Sequence, residues 1–307
     1  MRWQTTKFSP IQSGALFMAV SQAAFTVTDI FTKIVVESLG LGQLILVRGA
    51  IATILMAIFV WRTRQFSDIK SLINPFVLIR LIGEIGGTVF YLLALAHLPI
   101  ANVAALYQTL PLMITVGAAI FLGEFVGPRR CLAAGAGFIG VLVMLRPGLG
   151  GFNANALYMP VSVVFYATRE LATRRLPTAI PSGLVSFLSA MALAICGGLM
   201  VPMTGGWMEL TVPATLMLAA AATSMLLGNF FIILSTRLGD LSFVAPFRYT
   251  GLIWSLLAGM IFFASFPDLP MVFGAAIVVG SGIYTLYRER VAGHTRPISE
   301  MSGLSET

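Results

Sequence analysis

The chain has 307 residues, of which 58% are hydrophobic and 10% are charged, and its mean hydropathy is +0.92. Soluble domains carry roughly 25% charged residues, so this composition excludes an ordinary soluble protein and indicates a polytopic membrane protein. The net charge of +7 does not indicate nucleic-acid binding, because the Lys and Arg residues are spread one or two per loop and form no basic patch.

Ten apolar stretches follow one another, each near the roughly 20 residues that a helix needs to cross the hydrocarbon of a bilayer. They cover residues 13–36, 41–61, 73–95, 101–123, 130–146, 156–173, 182–203, 213–235, 241–264 and 270–288. The predicted fold class is an all-α polytopic membrane protein with ten transmembrane helices. Residues 1–12 are predicted to be a cytoplasmic N-terminal segment, and residues 291–307 a disordered cytoplasmic tail.

The basic residues of the loops lie almost entirely on one side of this arrangement. If the N-terminus is cytoplasmic, the inside positions hold 13 Lys and Arg residues, whereas the outside loops hold only Arg146. Lys and Arg stay preferentially on the cytoplasmic side of a membrane. Both termini are therefore predicted to be cytoplasmic, in a bacterial inner (plasma) membrane.

The sequence also repeats itself when residues 98–145 are placed on residues 238–285, an offset of 140. Coinciding residues include Leu98/Leu238, Ala105/Ala245, Leu112/Leu252, Ala118/Ala258, Ala136/Ala276 and Gly140/Gly280. The first copy has Arg129 and Arg130 in the loop where the second has no Lys or Arg, and such swapped charge indicates opposite insertion. Residues 13–148 and 149–290 are thus predicted to be two inverted five-helix repeats, the architecture of many secondary transporters.

Ionisable residues inside the predicted helices each require a partner, a watery cavity or a function. There are eight: Asp29, Lys33, Arg48, Arg80, Glu84, Arg169, Glu170 and Arg248. In the first helix, Gln22, Asp29 and Lys33 share one face by helical spacing. Arg48 in the second helix lies at a depth similar to that of Asp29. Asp29 is therefore either the partner of Arg48 in a structural ion pair, or a substrate ligand or proton carrier.

The third helix carries Arg80, Glu84 and Tyr91 on one face, beside glycines that let a helix or a ligand approach the backbone. Arg80 and Glu84 either neutralise each other as an i,i+4 pair or line the substrate path. Arg169 and Glu170, near the inner end of the sixth helix, are predicted to form a solvated cluster at the membrane interface.

Arg248 in the ninth helix lies too deep to reach the membrane surface easily. It follows Pro246, which leaves backbone groups that need a buried or wet setting. The repeat pairs Arg248 with Gln108, so Arg248 is predicted to face a central cavity, the alternative being a fixed ion pair with Glu84.

Five cations stand against three anions within the helices, and this surplus favours a substrate that brings negative charge. The predicted function is a secondary transporter that exports an amino acid or related carboxylate-bearing solute by alternating access. Aromatic side chains that could stack on a flat ring leave a heteroaromatic vitamin or nucleoside-like metabolite as the alternative. The predicted substrate-binding residues are Asp29, Arg80, Glu84, Tyr91, Gln108, Tyr166, Asn229, Arg248 and Tyr249.

Several short motifs resemble those of the drug/metabolite transporter superfamily, in its EamA-like branch. They are Phe25-Thr26-Val27-Thr28-Asp29-Ile30-Phe31-Thr32-Lys33, Leu46-Val47-Arg48-Gly49, Ala105-Leu106-Tyr107-Gln108-Thr109-Leu110-Pro111-Leu112, Leu122-Gly123-Glu124, Arg146-Pro147-Gly148 and Ala245-Pro246-Phe247-Arg248-Tyr249-Thr250. The resemblance spans about residues 13–290 and implies a central substrate cavity bordered mainly by helices 1, 3, 4, 6, 8 and 9, with helices 5 and 10 peripheral. Glu124 has no acidic counterpart in the ninth helix, so we expect it to be a structural or gating cap on one side.

Residue patterns typical of enzymes are not evident. Cys131 and Cys196 are isolated and are predicted to be buried, and no histidine falls within a predicted helix interior. No cofactor or metal is predicted, and a membrane-embedded enzyme or receptor is the alternative from another class. The predicted partners are a small-molecule solute and membrane lipid. Small-residue pairs such as Ala136/Gly140 and Ala276/Gly280 are predicted to pack helices within the chain, with a homodimer seam as the alternative.

Overall fold

The computed structural model describes residues 10–64, 74–123, 128–146, 153–177, 180–238 and 244–294, and every regular element within these ranges is helical. The α-helices are α1 (Pro10–Val36), α2 (Leu41–Thr63), α3 (Pro75–His97), α4 (Ile100–Tyr107), α5 (Leu110–Leu122), α6 (Pro128–Leu145), α7 (Tyr158–Arg174), α8 (Ser182–Met200), α9 (Val212–Leu238), α10 (Thr250–Phe263) and α11 (Leu269–His294). Short 3-10 turns lie at Ala154–Leu157, Val201–Met203 and Ala245–Tyr249.

These helices follow the ten predicted segments. The fourth segment is divided into α4 and α5, and the ninth consists of the 3-10 turn Ala245–Tyr249 followed by α10. Within the part of the chain that the structure describes, seven helices are long and apolar enough to cross a membrane. α6 and α11 contribute shorter apolar stretches, Cys131–Leu145 and Leu269–Thr285. The predicted all-α polytopic membrane fold is confirmed.

Local sequence explains where several helices begin and end. α3 begins at Pro75, which is favourable at a first helical position, and the Asn74 side chain accepts a hydrogen bond from the Phe76 amide at 2.9 Å. α5 ends at Gly123, whose left-handed φ of 66° costs a glycine little. α10 ends in the same way at Ala264, with φ of 46°, a conformation that is uncommon for a residue with a side chain.

The largest interfaces join the first half of the chain to the second. α1 packs against α9, α2 against α8, α3 against α7 and α6 against α11, and α4 packs against α10. In terms of the ten predicted segments, segment 1 packs against segment 8, 2 against 7, 3 against 6, 4 against 9 and 5 against 10. If the first five segments exchange numbers with the last five (1 with 6, 2 with 7 and so on), the same five pairs result. This pattern is what an approximate two-fold axis between two five-helix units produces.

Glycines allow the closest of these contacts, as close packing within a bilayer requires. A Cβ atom on Gly197 of α8 would lie 2.4 Å from the backbone nitrogen of Leu46 in α2. Between α6 and α11, a Cβ atom on Gly140 would lie 2.8 Å from the Gly274 carbonyl oxygen. Gly140 therefore packs helices within the chain, whereas its repeat counterpart Gly280 has open space beside it.

Two expectations about cysteine burial have different outcomes. Cys131 at the start of α6 is exposed, so the prediction that it is buried is wrong. Cys196 is partly buried, and its thiol lies 3.8 Å from the sulfur of Met200 one helical turn later. Glu124, the side chains of Arg129 and Arg130, the boundary between the predicted repeats and residues 295–307 lie outside the described residues.

The end of α6 is tied to the start of α11 by a charged contact. The Asp268 side chain accepts a hydrogen bond from the Met271 amide at 3.1 Å, which caps α11, and it also pairs with the Arg146 guanidinium. The hydrogen bond from Arg146 lowers the pKa of the Asp268 carboxyl below its ordinary value. The contact places Arg146 and Asp268 on the same side of the protein, as the topology prediction requires.

The topology prediction is tested by cysteine labelling. In a background without Cys131 and Cys196, we expect a Cys at position 268 to react with a membrane-impermeant maleimide added to spheroplasts. A Cys at position 129, in the first turn of α6, should react only after the membrane is permeabilised, because the positive-inside rule predicts that this end of α6 is cytoplasmic. The reverse pattern would contradict both the orientation and the inverted-repeat interpretation.

The contact between Asp268 and Arg146 predicts that the stability of the folded protein depends on pH. Asp268→Ala, which removes the cap and the charge, should destabilise the protein by about 1 kcal/mol, whereas Asp268→Asn, which keeps a cap, should cost a few tenths. Because the pKa of folded Asp268 is lowered, its stabilisation is present above its ordinary pKa and disappears as the pH falls through the lowered value. The difference in Tm between wild type and Asp268→Asn should therefore shrink from pH 6 to pH 3. A constant difference would refute this account.

Candidate functional site

Two apolar segments depart from regular α-helix, and in a membrane irregular backbone is tolerated only if it is buried in protein or faces a cavity. The fourth segment breaks at Gln108 and Thr109, between α4 and α5. The ninth segment starts as the 3-10 turn Ala245–Tyr249. In each case a threonine hydroxyl donates a 2.7 Å hydrogen bond to a carbonyl three residues earlier, Thr109 to Leu106 and Thr250 to Phe247.

These matching details indicate a correspondence between the two predicted repeats that differs by one residue from the one found by comparing the sequences. Thr109 matches Thr250, and the left-handed Gly123 matches the left-handed Ala264, so the structural offset here is 141 residues. Under this offset Arg248 corresponds to Tyr107, and not to Gln108 as the sequence offset indicates. The sequence identities are too sparse to detect the shift.

A cluster of three tyrosines, which we call the tyrosine triad, lies beside the first break. It consists of Tyr91 from α3, Tyr107 from α4 and Tyr166 from α7, with ring centroids 5.7 to 6.5 Å apart and interplanar angles of 68° to 90°. Edge-to-face contacts of this kind are favourable beyond simple burial. Tyr107 is not among the predicted binding residues. Its position in the sequence next to Gln108, which is among them, could have indicated that it belongs to the site.

Polar groups surround the triad. The Tyr91 hydroxyl donates to Asp29 Oδ2 at 2.7 Å, and the Tyr166 hydroxyl lies 3.2 Å from Thr88 Oγ1. The Arg169 guanidinium lies over the Tyr166 ring, 4.9 Å from its centroid. Three of the predicted site residues, Asp29, Tyr91 and Tyr166, are thus brought together from α1, α3 and α7.

Arg48 is buried near Asp29 but does not touch it. Its closest polar contact is Thr32 Oγ1, at 3.5 Å from Nη1. The ion pairs that the described residues form within 4.0 Å do not include Asp29 with Arg48, although the two charges interact over a longer distance. The predicted ion pair is therefore not a direct contact in this structure, and the energetic coupling of the two residues stays a prediction.

Arg80, Glu84, Arg169 and Glu170 form a charge network between α3 and α7. Glu84 Oε2 lies 3.4 Å from Arg169 Nη1 and 3.9 Å from Arg80 Nη1. Arg169 Nη2 donates to Glu170 Oε1 at 2.8 Å. Arg80 also donates to Thr173 and to Ser189, which links the network to α8. The expectation of a solvated interfacial cluster at Arg169 and Glu170 is wrong, since both side chains are partly buried, Arg169 bridges to Glu84 on α3 and Glu170 pairs with Arg169 within α7.

Lys33 lies in the last turn of α1, and the ion pairs found among the described residues do not include it. Its ammonium donates to the carbonyl oxygens of Leu95 and Leu98, at 2.6 and 2.8 Å, where α3 ends. Free carbonyls at a helix C-terminus attract cations. The same ammonium lies 5.8 Å from the centre of the Phe263 ring at the end of α10. Lys33 therefore joins α1, α3 and α10 at the end opposite to the charge network.

Arg248 is exposed and forms none of the direct ion pairs found in the described ranges, so the alternative of a fixed pair with Glu84 is not observed. It lies within electrostatic reach of Tyr107 and Glu170. Its charge is thus available to a ligand that approaches the network.

Two of the predicted binding residues lie apart from the triad. Tyr249 is buried against α11, where its hydroxyl occupies the space left by the missing side chain of Gly282 and makes no hydrogen bond. Asn229 on α9 is exposed, and its amide donates to the Met225 carbonyl of its own helix at 3.0 Å. Gln108, by contrast, is buried beside Gly251, close to the first break.

Comparison with known proteins agrees with this architecture. Residues 12–146 match the EamA-like transporter family. A riboflavin transporter of Rhizobium johnstonii is 32% identical over 210 residues, which cover 66% of this chain and 67% of the relative. A riboflavin transporter of Vibrio cholerae serotype O1 is 30% identical over 277 residues, which cover 89% of this chain and 92% of the relative.

A pseudopaline exporter of Pseudomonas aeruginosa is 25% identical over 277 residues, which cover 88% of this chain and 94% of that protein. A protein of known crystal structure, 18% identical, superposes with a TM-score of 0.63 over 92% of this chain and 99% of its own. The chain is therefore a multi-pass membrane protein that belongs to the EamA-like transporter family of the drug/metabolite transporter superfamily.

Proposed function

We propose that this transporter carries a flat heteroaromatic metabolite of the riboflavin type, which it binds at the tyrosine triad. The observation that carries the proposal is the triad itself, three aromatic rings from α3, α4 and α7 gathered at an interrupted helix. Tyrosine rings offer faces and edges for stacking on a flat ring. Two relatives with 30% identity or more are riboflavin transporters, which supports the same substrate class.

The carboxylate-bearing solute favoured by the sequence is the second candidate. Arg80 and Arg169 are balanced by Glu84 and Glu170, and the surplus of two positive charges stays with Lys33, Arg48 and Arg248 against Asp29. Lys33 is held by backbone carbonyls. Arg248, exposed and without a direct ion pair, is the observation that still favours a negatively charged substrate.

The proposed mechanism is alternating access between the two ends of the bundle. Lys33 and the carbonyls that end α3 hold one end together, and the charge network of α3 and α7 holds the other. The proposal includes two inverted repeats at residues 13–148 and 149–290 and a location in the inner membrane. It also includes cytoplasmic termini, and in that orientation the Lys33 end of the bundle faces outward. The names of the two riboflavin relatives give no direction of transport, so export, as expected from the sequence, remains part of the proposal.

Transport by purified protein in proteoliposomes tests the substrate. We expect riboflavin to cross the membrane at a saturable rate, and amino acids or dicarboxylates not to compete. Tyr107→Leu should lower the rate at least tenfold, because stacking on the triad is lost. Tyr249→Phe is the matched control and should be as active as wild type, since the Tyr249 hydroxyl has no partner to lose.

The opposite result would favour the second candidate. In that case a carboxylate solute would be transported at a saturable rate, Tyr107→Leu would have little effect and Arg248→Lys would cause a large loss. This combination would show that the planar guanidinium of Arg248 holds the substrate. Loading the liposomes with riboflavin and measuring efflux in a population of fixed orientation would give the direction.

The charges of Asp29 and Arg48 are predicted to be coupled. Asp29→Asn and Arg48→Gln should each reduce transport or the yield of folded protein, because each leaves one buried charge uncompensated. The double variant should lose less than the two single losses combined, with a coupling of about 1 kcal/mol in a stability cycle. Asp29→Asn combined with the distant Arg146→Gln is the control and should be additive. Additivity in the Asp29 and Arg48 cycle as well would contradict the coupling.

A further inference from the structure

Two carboxamide side chains meet at Gly251, close to the helix break. A Cβ atom on Gly251 would lie 2.8 Å from Gln22 Oε1 and 3.6 Å from Gln108 Nε2, so the missing side chain leaves room for both amides. Gln22 comes from α1, Gln108 ends α4 and Gly251 is in the first turn of α10. One polar pair is thus built from both halves of the chain.

The hydrogen-bonding capacity of this pair is largely unused. The Gln108 side chain is only 8% exposed, and the side-chain hydrogen bonds of the described residues do not include its amide, whose atoms are not fully sealed from the surroundings. Gln22 is partly buried, and among the described residues its amide nitrogen is paired with the sulfur of Met18, at 3.9 Å. An amide that keeps an accessible edge and lacks a protein partner can hydrogen-bond to a ligand.

Gln43 is an example of a glutamine in this chain whose side chain has a purely structural role. Gln43 is fully buried, and its amide both donates to the Met208 carbonyl at 2.9 Å and accepts from the Met208 amide at 2.8 Å. Packing alone therefore does not account for the unpaired amides of Gln22 and Gln108.

A carboxamide presents one acceptor and one donor side by side. This edge pairs in bidentate fashion with a flat ring that offers an N–H next to a carbonyl, as glutamine pairs with the edge of adenine. A second amide can donate to a further carbonyl on the other side of the N–H. The fitting group is a cyclic imide, an N–H between two carbonyls, and the dione ring of riboflavin carries one.

We propose that Gln108 and Gln22 form a subsite that recognises the cyclic imide edge of the transported ring. The inference rests on the proposed function, whose triad would hold the rest of that ring. Gln22 precedes Asp29 by seven residues on the same face of α1, about 10 Å along the helix axis. Asp29 accepts a hydrogen bond from Tyr91 of the triad, so a tricyclic ring can reach from the triad to the amides.

Binding of riboflavin and of 3-methylriboflavin to the purified full-length protein, measured by quenching of flavin fluorescence, tests the subsite. The methyl group replaces the imide hydrogen and leaves both carbonyls in place. We expect wild type to bind riboflavin about tenfold more tightly, because the methylated ring leaves the buried Gln108 acceptor unpaired. In Gln108→Leu the ratio of the two affinities should fall to about one.

Further variants separate recognition from folding. Gln43→Leu, which removes structural hydrogen bonds, should reduce the yield of folded protein and leave the ratio at about ten. Gly251→Ala, which displaces the Gln22 amide, should lower the affinity for both flavins and keep the ratio near ten, because both flavins retain the carbonyl that Gln22 binds. Gln108→Met provides the test of the ratio if Gln108→Leu does not fold.

The outcomes are distinguishable. If wild type binds both flavins equally well, if Gln108→Leu keeps the ratio of wild type, or if Gly251→Ala binds riboflavin as tightly as wild type, the subsite is refuted while flavin binding stands. If wild type binds neither flavin, the proposed function fails and the subsite fails with it.

Discussion

The hydrocarbon of a membrane offers no hydrogen bonds, and this constraint determines where each polar side chain of the chain can be placed. A charge in a transmembrane helix costs about 2.5 to 3.5 kcal/mol on insertion scales unless the protein or trapped water compensates it. Lys33 is compensated by the carbonyls that end α3, and Glu84 by two arginines. Asp29 accepts from a tyrosine hydroxyl. Among the described residues, Arg48 has only a 3.5 Å contact with Thr32, and Gln108 and Arg248 lack such a partner, so these three groups are the informative ones.

Close packing of helices supplies most of this compensation. The charge network exists because α3 and α7 approach closely at Gly83, where a Cβ atom would lie 2.8 Å from the backbone nitrogen of Arg169. At Gly87, a Cβ atom would lie 2.7 Å from the ring of Tyr166, so the same row of glycines also seats one member of the triad. Small residues thus position both the charges and the rings that the proposed function uses.

The sequence predicts the helical segments and the polar faces well, because hydropathy and the helical period are local properties. It could not predict the partners of those faces. Arg169 is assigned to the surface by its distance from the helix end, and only the packing of α7 on α3 shows that it reaches Glu84. Tyr249 is predicted to bind substrate because it is one of the aromatic side chains that could stack on a flat ring. The 3-10 turn of residues 245–249 rotates the chain so that its ring points to Gly282 instead.

The Lys33 contact also has an energetic consequence for a transporter that alternates between two openings. A hydrogen bond from a charged group contributes roughly 1.5 to 3 kcal/mol, and water replaces the two carbonyls when the Lys33 end opens. At the other end, the proposed opening would expose the partly buried ion pairs of Glu84 with Arg80 and Arg169 to water. The two ends therefore close by different chemistry: a single cation on backbone carbonyls at one end, and side-chain ion pairs, which salt screens once they are hydrated, at the other.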